Sequence, residues 1–81
     1  MSRSEHVDAV FDIAVLAAQK TPHWNPQAEG NWLSSGAFRR TIVVETGNPD
    51  FLPAIAEALH RQGYAADAFV KNGNGVCLVS L

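Results

Sequence analysis

Bond-making chemistry needs a nucleophile with a base beside it, or a set of converging metal ligands. The 81-residue chain offers one cysteine, Cys77, and three histidines, His6, His23 and His60. Cys77 lies inside the apolar run "VCLVSL", where a thiol behaves as a small inert hydrophobe. A reactive thiolate needs access and a lowered pKa, and no histidine lies near Cys77 in the sequence to supply them. The histidines have no metal-site spacing. His6 and Asp8 share a helix start, but side chains two apart on a helix diverge. His60 precedes Arg61 near a helix C-terminus, where a cationic ring is mildly favoured. The expectation is a protein that is not an enzyme, with no catalytic residue, no metal and no cofactor.

Two turns could be mistaken for phosphate cradles. "ETGNPD" joins a strand to a helix N-terminus, which is a good anion geometry. It holds one glycine and no lysine or arginine, and Asp50 itself takes the positive end of the helix. "NGNG" leads into a strand, so its glycines belong to a hairpin. Neither matches a dinucleotide or P-loop motif.

The stretch that stands out is "KTPHWNPQAEGNWLSSG", residues 20–36, which holds both tryptophans. Its prolines, glycines and turn formers predict a long loop over about residues 20–37. Burying one indole removes roughly 150–250 Å² of surface. That stabilises by several kcal/mol, comparable to the whole stability of so small a domain. Trp24 and Trp32 are therefore expected to fold down as a flap over the apolar flank of the first helix, near Val15 and Leu16. The same loop is the candidate binding surface, with Lys20, His23, Trp24, Trp32 and Arg39 as its residues. Aromatics interleaved with cations can stack single-stranded bases, which makes single-stranded nucleic-acid binding the alternative function. Against it stand a net charge of -2 and the lack of any lysine or arginine between Lys20 and Arg39.

Composition bounds the class. Hydrophobic residues make up 47% and charged residues 17%, as in one ordinary globular domain spanning residues 1–81. A single cysteine excludes an internal disulfide and fits a reducing, cytoplasmic setting. Glu5, Asp8 and Asp12 break the N-terminal apolar run, so a signal peptide is not expected. No run of 18 apolar residues is present, so no membrane span is expected.

The elements that hold these residues follow from periodicity and punctuation. A helix is predicted over about Ser4–Gln19, with Ser2 and Glu5 as a capping box. Its apolar stripe of Val7, Val10, Phe11, Ala14 and Ala18 is widened by Ala9, Ile13, Leu16 and Ala17, so it needs two partners. A second helix follows "TGNPD" with Asp50 as N-cap, because Pro53 would clash if the helix began two residues earlier. Leu52, Ile55, Ala56 and Leu59 then face the core, Glu57 pairs with Arg61, and Gly63 closes the helix with Tyr64 beside it. Strands are predicted at "FRRTIVVE" (38–45), "YAADAFVK" (64–71) and "VCLVSL" (76–81), the last two joined as a hairpin through "NGNG".

Taken together these predict an α+β fold of order α-β-α-β-β. Its three-stranded mixed sheet is a split β-α-β of order first-third-second, with both helices on one face. The order first-second-third is the alternative. Ile42 and Val44 point inward and Val43 outward, which leaves apolar side chains on an uncovered face. From that surplus the function expected is a small non-catalytic binding or regulatory module. It acts through protein–protein contacts and forms a homo-oligomer.

Overall fold

The computed structural model describes residues 3–25 and 27–81. Helix α1 (Arg3–Gln19) is followed by strands β1 (Leu33–Phe38) and β2 (Thr41–Thr46). A 3-10 turn (Pro49–Phe51) leads into helix α2 (Leu52–Arg61), and strands β3 (Ala65–Lys71) and β4 (Asn74–Ser80) close the chain. The four strands form one sheet in the order β1-β2-β4-β3, and every hydrogen-bonded pair is antiparallel. No helix among the described residues is long and apolar enough to cross a membrane.

The α+β class stands, but the expected three-stranded mixed sheet is corrected to four antiparallel strands. The extra strand, β1, occupies the last third of the expected 20–37 loop. Its sequence "LSSGAF" has almost no large side chains to alternate, so the pairing with β2 makes it a strand. Arg39 and Arg40, expected to open a strand, are the two-residue turn between β1 and β2. Arg39 sits at φ 58°, a left-handed conformation in which glycine or asparagine is usual and arginine gives no warning. The remaining three strands keep the split arrangement, with β4 between β2 and β3. Asn72 and Gly73 both have positive φ in the β3–β4 turn, as a tight "NG" hairpin demands.

Alternation divides the sheet. Ile42, Val44 and Thr46 of β2 and Cys77 and Val79 of β4 are fully buried under the helices. They meet Val10, Ala14 and Ala18 of α1 and Phe51, Ile55 and Leu59 at the start and along the face of α2. Small residues on α1 let it lie along α2 as well as over β1 and β2, which gives the helix its two partners.

Both ends of α2 bear on the expectation. Asn48 caps the preceding 3-10 turn, its side chain accepting from the Asp50 N–H at 3.0 Å, and Asp50 caps nothing. The tighter turn gives the Leu52 N–H to the Pro49 carbonyl, so Pro53 is never asked to donate or to clash. At the other end Gly63 is left-handed at φ 88°. The Gly63 N–H donates to His60 O at 3.0 Å and the Tyr64 N–H to Leu59 O at 3.0 Å, the expected glycine cap. Ser2, and with it the capping box of α1, lies outside the described residues.

Candidate functional site

The tryptophan loop is pinned by one amide. Asn31 Nδ2 donates to His23 O at 3.1 Å and to Asn25 O at 2.9 Å, while its Oδ1 accepts from Asn48 Nδ2 at 3.1 Å. Asn48 in turn donates its N–H to Thr46 Oγ1. The loop is thus tied to the end of β2 and the start of α2 through side chains 17 residues apart. A polar residue in a polar loop gives no hint of this in the sequence.

That tie sets where the indoles go. Trp24 is half-buried and packs on Phe51, ring centroids 5.8 Å apart and tilted by 40°. Trp32 lies over Gly47 on the opposite face of the sheet and keeps 40% of its surface exposed. The expected flap near Val15 and Leu16 is therefore corrected: Leu16 stays 55% exposed, and the loop covers the Phe51 end of the core instead. Asn31 ties the segment that carries Trp24 to Asn48, three residues before Phe51, and so directs that indole onto the Phe51 ring.

The candidate binding residues do not gather. Lys20 borders a groove of about 330 Å³ between α1 and α2, with Leu16, Ala54 and Arg61 among its other walls. His23 lies 4.0 Å from Asp50, an exposed pair worth little. Arg39 stands over the ring of its neighbour Phe38, 5.4 Å from the centroid. It is at the far end of β1 from Trp32, roughly 20 Å away at about 3.3 Å per strand residue. No single surface holds Lys20, Trp24, Trp32 and Arg39.

A different surface emerges on the sheet face away from the helices. Register sets three rows across it: Phe38–Thr41–Ser80–Ala65, Gly36–Val43–Leu78–Asp67 and Ser34–Glu45–Val76–Phe69. Val43, Leu78, Val76 and Phe69 adjoin at its centre and form a shallow hollow of about 340 Å³ with Glu45 and Lys71. Phe38, at the β1 end, is 66% exposed. No helix among the described residues packs on this centre, where Val43 and Leu78 stay half-buried and Phe69 42% exposed while their neighbours screen Val76 to 8%. The alternation of "TIVVE" pointed to Val43 on this face; the Phe69 side needed the register of β3 to be settled.

The groups that could do chemistry are apart. Burial pushes the Cys77 thiol pKa up, and the negative charge of Asp67 adds to the rise. The thiol therefore stays protonated at neutral pH, a poor nucleophile. A thiol reagent is expected to leave native Cys77 unmodified and to react quickly once denaturant is added; fast modification of the folded protein would contradict its central position in β4. In the unfolded chain the thiol ionises near pH 8.5. Above that pH the unfolded state sheds a proton that the folded state keeps, so this group makes stability fall as pH rises. His6 meets Tyr64 edge-on at 6.5 Å, and His60 Nε2 lies 3.0 Å from Ala66 O. Among the described residues no three His, Cys, Asp or Glu side chains converge on a metal position. No protein-family model matches the chain, and no match was found among the curated proteins or the solved structures.

Proposed function

We propose that this protein is a non-catalytic binding module that works through protein–protein contacts, first of all with another copy of itself. The observation that carries the reading is the bare sheet face, with Val43, Val76, Leu78 and Phe69 contiguous at its centre. Phe69 keeps 42% of its surface exposed, Val43 and Leu78 are half-buried, and Val76 lies buried among them at 8%, so the patch is open mainly at Phe69, Val43 and Leu78. Contiguous exposed apolar surface marks interaction sites. Glu45, Asp67 and Lys71 rim the patch with charge, as the periphery of an interface usually is. The single-stranded nucleic-acid alternative has less support, because Trp24 is turned onto Phe51 and the cations are dispersed.

Sedimentation equilibrium of the intact chain tests the reading. The mass is expected to climb above the monomer's 8.7 kDa as concentration rises through the micromolar range. A monomer at every concentration would remove self-association and leave a different protein as the only partner.

A further inference from the structure

We propose that β1 pairs antiparallel with β1 of a second copy, about a two-fold axis at Ser35, joining two sheets into one. The proposal rests on the self-association part of that reading and places it at the β1 edge, which leaves the Val43–Leu78–Phe69 face open in the dimer for a different protein partner. Strand β1 is an edge strand, exposed over most of its length. Edges are normally blunted by charge, proline or a bulge, and Leu33–Phe38 has no charged residue, no proline and an unbroken register with β2. The opposite edge, β3, carries Asp67 and Lys71. One edge is guarded and the other is not.

The pattern of β1 is self-complementary. The Gly47 N–H donates to Trp32 O, so even-numbered residues exchange backbone bonds with β2. Leu33, Ser35 and Ala37 consequently direct their N–H and C=O groups to the free edge. Pairing two copies about Ser35 satisfies all of them. Ser35 then faces Ser35 of the second copy, Leu33 faces Ala37, and Ser34 faces Gly36. Trp32 faces Phe38 of the second copy, twice, on the open side of the sheet. These two aromatics are left exposed at 40% and 66% in the single chain. They would meet at non-hydrogen-bonded positions, where side chains approach most closely and aromatic pairs stabilise. The contact is isologous, so it closes as a dimer and does not propagate into a filament.

The test uses charge at the axis. Ser35→Asp and Ser35→Lys each place like charges directly opposite one another, roughly 5 Å apart between Cβ atoms. Each variant alone is expected to associate more than about 10-fold more weakly than wild type, and an equimolar mixture is expected to form the heterodimer. Phe38→Ser, at an exposed site, should weaken association as well, while Leu16→Ser, exposed on α1 away from both β1 and the open sheet face, should not. Circular dichroism of each variant checks that it keeps the wild-type fold before its association is read. Failure of the mixture to recover the dimer overturns the axis at Ser35. Loss of association in Phe69→Ser with none in the Ser35 and Phe38 variants overturns edge pairing and leaves self-association through the face. A wild-type monomer at all concentrations overturns both.

Discussion

Phe51→Ala is expected to remove about 3–5 kcal/mol of stability, the usual range for deleting a fully buried aromatic ring. A chain of 81 residues has roughly 4–12 kcal/mol in all, at about 0.05–0.15 kcal/mol per residue. This one ring therefore decides whether the domain stays comfortably folded. Phe51 is fully buried and touches both the α2 end of the core and the Trp24 indole. Its backbone N–H donates to Asn48 O, a bond that alanine keeps, so the loss is one of packing and not of turn geometry. In a Trp32→Phe background only Trp24 emits. Thermal unfolding should then move down by more than about 12 °C, and the folded-state emission should shift red as Trp24 loses its platform. A melting point lowered by less than about 5 °C with emission unchanged would mean that the loop does not lean on this ring.

Phe51 also shows where sequence reasoning stops. Helical periodicity picked out Leu52, Ile55 and Leu59, which are buried, and Ala56, which is only half-buried. Phe51 would be the first helical position in a frame capped by Asp50, four residues before Ile55, but the expected core stripe starts only at Leu52. The structure buries Phe51 fully in the 3-10 turn that precedes the helix. The features that were readable share a local cause. Gly63 and Asn72–Gly73 declare left-handed backbone through residue type, and the short β-α-β connection constrains strand order. β1 was hidden for the opposite reason: its strand character comes from β2 alongside it, and its turn is made by arginines. The candidate site fared likewise. Residues were chosen by type within one stretch, whereas the bare apolar surface is assembled by register from β2, β3 and β4. Asn31, whose three side-chain bonds set the loop's position, belongs to a residue type found in almost any loop.

Gly47→Ala is expected to destabilise by about 2–3 kcal/mol through overpacking alone. A Cβ at residue 47 would lie 2.3 Å from Trp32 Nε1, 2.8 Å from Trp32 Cε2 and 2.5 Å from Gly30 O. Backbone strain does not enter, since Gly63 and Gly73 are the glycines with positive φ. The three contacts differ in what can give way. An indole can swing aside at the loss of its packing, but the Gly30 carbonyl is held in a chain that Asn31 ties to His23, Asn25 and Asn48. Trp32→Ala should therefore recover only part of the stability lost in Gly47→Ala, leaving a residual deficit of about 1 kcal/mol in a double-mutant cycle. Chemical denaturation of the four proteins measures it. Full recovery would mean that the loop backbone yields freely at Gly30 and that the indole alone fills the space above Gly47. The expected partial recovery would identify this glycine as the place where loop and sheet close on each other, with Trp32 held beside the free edge of β1.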